Sequence, residues 1–347
     1  MKKDKICIAD YISSVDQKSK PIGHAKKVLI ENCEWLSDQY EITCAASKEY
    51  LEDIDDTKKK KLPFKTIEGN NYSGLWGRAK KIFISWINIF CCFYDGGYVW
   101  FDNIDILLVL YLYFHPVKCK RTIISLYTNC FEKKYHNYML KSISHRVKLL
   151  ITSSKVDMID NSLYIPDYLY KQDIYGKYLK NTKVNDFVCL GLMSRDKDLE
   201  GLIQCFNNRK EKLFIVGHFT DKEWFERLKA IASINVQLLD IYLDYDAYLT
   251  LLSKFKFSIL PYSGEVYAKK TSGVVLESIF LKTIPVTYKK LLENWNVKGI
   301  GYDKIENIWK QDMSDSRVEE IISYNSAVIE EQFEPNVYLK KVCDKLG

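Results

Sequence analysis

The stretch Lys269–Val286, KKTSGVVLESIFLKTIPV, decides how the rest of the chain is read. A basic pair and Thr-Ser-Gly precede an apolar run that carries one acid, Glu277, and ends at Pro285. Thr271 or Ser272 is a good N-cap, so a helix is expected from there to about Lys282. The buried-strand pattern Ile284–Thr287 follows it. The first turn of such a helix offers unpaired N–H groups and the positive end of a dipole, which suits a phosphate. Glu277 then lies one to two turns in, either solvated on an outer face or aimed at a ligand's hydroxyls. Taken alone, an ordinary capped helix is the simpler reading.

Working outward, the same alternation of short apolar strands and helical periods runs through most of the chain. In the first half it is Lys5–Ala9, a helix over His24–Leu36, Tyr40–Ala45, a Trp/Phe-rich helix over Tyr72–Tyr94, then YVWF. A helix over Ile106–Phe114, a strand Arg121–Leu126, a helix over Cys130–Ser144 and a strand Val147–Thr152 continue it. The charge block Asp53–Lys61 reads as a solvated loop. The Trp/Phe helix reads mostly as core, with Trp76, Arg78, Lys80 and Lys81 at its start also suiting an anionic membrane surface. Around Ser162–Tyr175 the rhythm breaks into a tyrosine-rich segment with no period, expected to be a hinge whose tyrosines pack between domains. A second alternation then runs from Phe187–Leu190 through Leu213–Val216, Val236–Leu239 and Phe257–Leu260 to the opening stretch. Two helical stretches without strands, Val318–Gln332 and Asn336–Leu346, close the chain.

This pattern predicts an α/β protein with two doubly wound, Rossmann-like domains facing a central cleft. The expected divisions are 1–165 for the first domain, 166–185 for the hinge and 186–317 for the second domain. Residues 318–347 are expected to pack back over the hinge. A length of 347 residues agrees with two domains. A composition 47% hydrophobic and 28% charged is globular, and a net charge of +6 is modest. No nucleic-acid partner is expected. The ten cysteines fall mostly in apolar runs without a CxxC pair, so no metal site is expected. Met1–Asp10 has no long apolar core, so a cytoplasmic location is expected, with possible contact to the inner membrane face. The longest apolar stretches are shorter than the ~20 residues that span a bilayer.

Ligands of open α/β sheets bind beyond the carboxyl ends of the strands. Three loops of the second alternation would meet there. One runs from Gly191 through Arg195 to Lys197, one is Gly217-His218-Phe219, and one carries Glu265, Lys269 and Lys270 into the Ser272 helix. Arg195, Lys197, Lys269 and Lys270, with the amides of Thr271, Ser272, Gly273 and Val274, form a candidate diphosphate clamp. Glu277 would take ribose hydroxyls. The plain alternatives are a surface lysine at 197, a solvated glutamate at 277, and helix-start or strand-end histidines at 24 and 218. No GxGxxG follows any strand, since GIG at Gly299–Gly301 lacks the third glycine, which disfavours a dinucleotide oxidoreductase.

The segments GLMSRDKDLEGLIQCF, LFIVG, FSILPY and TSGVVLESIFLKTIPV together resemble the donor half of the family 4 glycosyltransferases, which have the GT-B fold. VWFDNI, LLITSS and LYIPDYLY resemble the family's first domain, and Gly23-His24 resembles its acceptor-side glycine loop. The resemblance implies a retaining, metal-independent transfer from a UDP- or GDP-type sugar donor, without a separate cofactor. It implies a glycan or lipid-linked glycan acceptor in surface-polysaccharide synthesis. Lys197, six residues after Gly191, falls on the family's phosphate-binding lysine, and Glu277 on its ribose-binding glutamate. Glu277, Lys197 and His24 are the implied catalytic residues. The family's basic residue after the glycine is Leu192 here, with Arg195 as its substitute. Its earlier glutamate falls on Lys269, and Glu265 is the nearest upstream acid. A nucleotide-sugar epimerase of the same fold and a non-catalytic sugar-nucleotide- or partner-binding subunit are the alternatives.

Overall fold

Short apolar runs buried on both faces become parallel strands here, because only helices on both sides can cover them. The computed structural model describes residues 3–15, 19–21, 25–52, 54–67, 72–126, 134–153, 159, 161–166, 168–262 and 272–347. The chain divides into two units, Met1–Asp167 with Tyr338–Gly347, and Tyr168–Val337.

The first unit contains β1 (Lys5–Ala9), β2 (Ser14–Val15), α1 (Ala25–Trp35), β3 (Glu41–Ala46), β4 (Lys59–Lys61), β5 (Thr66–Ile67), α2 (Gly74–Cys92) and β6 (Tyr98–Phe101). It continues with α3 (Ile106–Phe114), α4 (Pro116–Cys119), β7 (Thr122–Leu126), α5 (Lys134–Ser144), β8 (Leu149–Thr152) and β9 (Ser162–Tyr164). Seven strands form one parallel sheet in the order β4-β3-β1-β6-β7-β8-β9, while β2 and β5 pair separately. Winding reverses between β1 and β6, which lie side by side with Ile6 opposite Tyr98 and Ala9 opposite Phe101. One core cluster joins Cys7 and Ala9 of β1, Val99 and Phe101 of β6, Ile89 and Cys92 of α2, and Leu108 and Leu112 of α3.

The second unit begins with α6 (Gln172–Tyr175), β10 (Val184–Leu190), α7 (Leu199–Phe206), β11 (Leu213–Gly217), α8 (Lys222–Ile231), β12 (Val236–Asp240), α9 (Tyr245–Ser253) and β13 (Phe255–Leu260). After it come α10 (Gly273–Phe280), β14 (Ile284–Tyr288), α11 (Lys289–Trp295), β15 (Ile300–Tyr302) and α12 (Asp315–Gln332). Its six parallel strands run β12-β11-β10-β13-β14-β15, with the reversal between β10 and β13. Asp198, Asp221 and Asp244 each cap a helix by accepting from an N–H of its first turn, to α7, α8 and α9 respectively. The last helix, α13 (Pro335–Leu346), starts in the second unit, and its residues from Tyr338 onward belong to the first.

Several elements differ from expectation, each for a packing reason. Lys59–Lys61, expected in a loop, is a strand because it lies at the sheet edge. There β3 pairs one side of it, Cys44 opposite Lys59, and three lysines tolerate the open side. The segment expected as a hinge over 166–185 belongs to the second unit from Tyr168 onward, and its end is already β10. Its tyrosines pack there: Tyr175 lies 5.1 Å from the Phe280 ring, and Tyr178 donates to Asp246 at 2.6 Å. Of the terminal residues 318–347, only those from Tyr338 join the first unit. The strands β9 and β15 are too short to carry a period, and only pairing with β8 and β14 makes them strands. The helix α2 is buried along Ile84, Ser85, Asn88, Ile89 and Cys92, but Leu75, Phe83, Phe90 and Trp76, the last 87% exposed, face outward.

Candidate functional site

The sheet reverses between β10 and β13, the place beyond whose carboxyl ends open α/β sheets bind ligands, and the loops after those strands are stitched to each other. Asp198 N–H donates to the Pro261 carbonyl at 2.8 Å, and Lys197 and Tyr262 form a backbone bridge. The loop after β11 is stitched in as well, since Met193 N–H donates to the His218 carbonyl and Thr220 N–H returns to the Met193 carbonyl. Two glycines permit this closeness. Gly191 has φ +108°, open to glycine alone at little cost, and a Cβ on Gly217 would lie 1.8 Å from the Gly191 carbonyl oxygen. The His218 ring points to solvent and lies 3.4 Å from Asp240, so only its backbone takes part in this stitching.

Lys197 is the centre of the arrangement. It is 6% exposed, and its ammonium has weak partners among the described residues: the Leu190 carbonyl at 3.5 Å and the Met193 sulfur at 3.9 Å. The Tyr262 ring centroid lies 5.9 Å away. Burial holds the Lys197 pKa below the ordinary lysine value, opposed by the nearby Cys189 and Asp196. A buried cation with poor partners is a costly feature in an empty protein and a favourable one beside an anion. Tyr262 extends the site toward α10, because its hydroxyl meets the Ser272 hydroxyl at 3.0 Å.

Ser272 is the N-cap residue of α10 by position, yet its side chain makes no capping bond, having turned to Tyr262. The N-terminus of α10 is thus left without a side-chain cap among the described residues. Tyr168 covers Gly273 so closely that a Cβ there would lie 2.4 Å from the phenol oxygen. Val274 is half-buried in the first turn. At the other end, Lys282 takes φ +55° and Thr283 N–H closes on the Ser278 carbonyl at 2.9 Å.

Glu277 is 1% exposed, which rules out the solvated reading. Tyr245 donates to its Oε1 at 2.9 Å, and the Tyr245 hydroxyl meets that of Tyr175 at 3.1 Å. The same carboxylate stands near Tyr248, whose phenol is pushed well above its ordinary range first by burial and then by the Glu277 charge. Helix α10 therefore buries an acid against the Tyr245 phenol of α9, which in turn meets the Tyr175 phenol of α6.

Of the residues expected at the site, Gly191, Gly217 and Lys197 come together at one set of loops, and Tyr262 connects them to Ser272. Arg195 does not join them. It is 57% exposed, paired with Asp221 through Nε at 3.1 Å, and 5.7 Å from the Trp224 ring. Lys269, Lys270, Thr271 and Glu265 lie outside the described residues, as do Gly23 and His24. Tyr262 heads the third of the loops expected here, whereas Tyr168, Tyr245 and Tyr248 were not expected at the site. In a chain with 25 tyrosines, nothing in sequence separates Tyr245 and Tyr248 from the rest.

Solved structures share this architecture over their full length. The trehalose-6-phosphate synthase OtsA matches with a TM-score of 0.70 at 10% identity, covering 99% of each chain. The fold is GT-B. The α,α-trehalose-phosphate synthase (UDP-forming) from Burkholderia xenovorans, solved with glucose-6-phosphate, gives 0.68 at 10% identity, covering 99% of this chain and 100% of that one. Anabaena Alr3699/HepE, solved with UDP and glucose, gives 0.62 at 12% identity, covering 99% of each. No protein-family model matches the chain, and no curated protein matches it in sequence.

Proposed function

We propose that this GT-B chain is a glycosyltransferase that moves a sugar from a nucleotide-diphosphate donor to a glycan or lipid-linked glycan acceptor. The observation that carries the reading is Lys197, a buried and poorly partnered cation where the sheet reverses. A diphosphate supplies the counter-charge it lacks. The uncapped N-terminus of α10 supplies amides to the same anion. Leaving-group charge then develops against a fixed ammonium and a fixed dipole, which need no reorganisation as the glycosidic bond breaks. Glu277, held by Tyr245, is the acceptor for ribose hydroxyls. Similar structures were solved with UDP and glucose, with UDP-glucose and, in a UDP-forming synthase, with glucose-6-phosphate, which favours a UDP-type donor.

The reaction is proposed to be retaining and metal-independent, and the protein to act in surface-polysaccharide synthesis, all three following the family 4 resemblance. The proposed location is the cytoplasm, with peripheral contact to the inner face of a membrane. No helix among the described residues is long and apolar enough to cross one. The outward face of α2 offers Leu75, Trp76, Phe83 and Phe90 beside Arg78, Lys80 and Lys81, a mixture suited to anionic lipid.

Incubation with a panel of UDP- and GDP-sugars tests the reading. Slow release of free sugar and nucleotide is the expected result. Inversion of the sugar without release identifies an epimerase, and thermal stabilisation without turnover a binding subunit.

A further inference from the structure

The first unit holds polar groups that the donor reading leaves unused. Its sheet also reverses, between β1 and β6, and the residues just beyond those strands are Asp10 and Asp102, both buried. Asp10 is spent locally, accepting from the N–H groups of Ile12 at 3.1 Å and Ser13 at 2.9 Å. Asp102 accepts from Asn32 Nδ2 at 2.8 Å on one oxygen, while its other oxygen is buried without a partner among the described residues. The Asn32 carbonyl oxygen accepts from Trp35 Nε1 at 2.9 Å. Both ends of the Asn32 amide are therefore fixed, with one N–H left to give.

A cavity of about 30 Å³ opens beside this amide, lined by Val28, Asn32, Trp35, Trp100, Ser125 and Ser153 among others. The two indoles meet edge to face at 6.1 Å. Ser125 accepts from Trp100 Nε1 at 2.8 Å and keeps its own proton to donate. Ser153 is 4% exposed, and its hydroxyl oxygen is buried with no partner among the described residues. The volume admits about two waters, or one small substituent of similar size. Among the described residues, no lysine, arginine or histidine lines it.

We propose that this cavity receives an uncharged, hydroxyl-bearing substituent of a sugar, such as a hydroxymethyl arm, held by Asn32, Ser125 and Ser153. That the sugar is the acceptor rests on the transferase reading; that the cavity takes a neutral hydroxyl rests on its own walls. Two serine hydroxyls and an oriented amide match one hydroxyl's donor and acceptor needs, and the indoles shield them from water. An anionic group finds no cation among the described lining residues. Burial pushes Asp102 well above the usual carboxylate range, with the Asn32 bond opposing and the Asp10 charge adding to it. Behind Asn32, Asp102 holds the amide in place through the 2.8 Å bond.

Trp35 and Trp100 make the test optical. The full chain is titrated with the methyl α-glycosides of glucose, galactose and mannose, with their 6-deoxy forms, and with the corresponding uronic acids, following tryptophan emission. At least one parent glycoside is expected to give a saturable change, with its 6-deoxy and uronic forms about tenfold weaker or more. Ser153→Ala and Asn32→Ala should each weaken it about tenfold, and melts of both variants check folding. UDP affinity should stay unchanged in both. The proposal is overturned if no glycoside changes the emission, if the uronic acids bind as well as the neutral sugars, or if both variants bind like the parent. Sugar binding that persists where UDP does not bind supports the cavity and removes only the transferase reading.

Discussion

Replacing Lys197 by methionine tests the donor site most directly. Methionine keeps much of the lysine volume and removes the charge, so no large cavity confounds the result. The ammonium's present partners, at 3.5 and 3.9 Å, are too distant to stabilise it well. In the empty protein, Lys197→Met should therefore cost little, with a melting temperature within about 4 °C of the parent or above it. A charge-assisted bond to a phosphate contributes about 1.5–3 kcal/mol, so UDP should bind about 10- to 150-fold more weakly. The pH dependence has a definite sign. Burial lowers the Lys197 pKa below 10.5, and a bound diphosphate raises it again. Above the lowered value, binding takes up a proton and affinity falls as pH rises; the methionine variant lacks this slope. Without nucleotide, the unfolded chain holds the proton more tightly, so this lysine's contribution to stability improves as pH rises toward 10.5. Calorimetric titration at several pH values, beside thermal melts, reads all of this. Unchanged affinity for both UDP and GDP would refute the clamp, and a collapsed melt would make Lys197 structural.

The other expectations separate the remaining parts of the reading. Glu277→Gln keeps an acceptor for the Tyr245 hydroxyl, so its melt should hold while turnover falls on the order of 100-fold; full turnover would remove Glu277 from the site. Tyr245→Phe should cost about 1 kcal/mol of stability and leave the donor affinity within about threefold, and a larger affinity loss would make the phenol a ligand contact. Turnover should survive EDTA and gain nothing from Mn²⁺ or Mg²⁺; an EDTA-sensitive, metal-restored rate contradicts the metal-independent mechanism. Co-sedimentation with anionic vesicles should fall with added NaCl and with Arg78→Glu plus Lys81→Glu, at roughly 1 kcal/mol per charge. Equal binding to neutral vesicles would make the α2 contact purely apolar.

Strand–helix alternation in sequence determined the fold class, because parallel strands buried on both faces must be continuously apolar and their helices must carry a 3.6 period. Lys5–Ala9 and Ile106–Phe114 could be bounded to the residue on that basis. The same logic led to Gly191, Gly217, Lys197 and Glu277, since loops after consecutive strands must emerge at one sheet edge. Sequence could not say what each side chain does there. Arg195 and Lys197 are two residues apart and chemically alike, yet one is paired with Asp221 at the surface and the other is buried. Ser272 has the chemistry of a cap and gives its hydroxyl to Tyr262 instead. Glu277 is an acid in an apolar run, and the phenol of distant Tyr245, donating to it, helps make its burial tolerable. Local sequence carries period and propensity, which set the elements. The partners of a polar group come from segments tens of residues away, and those the tertiary structure alone decided.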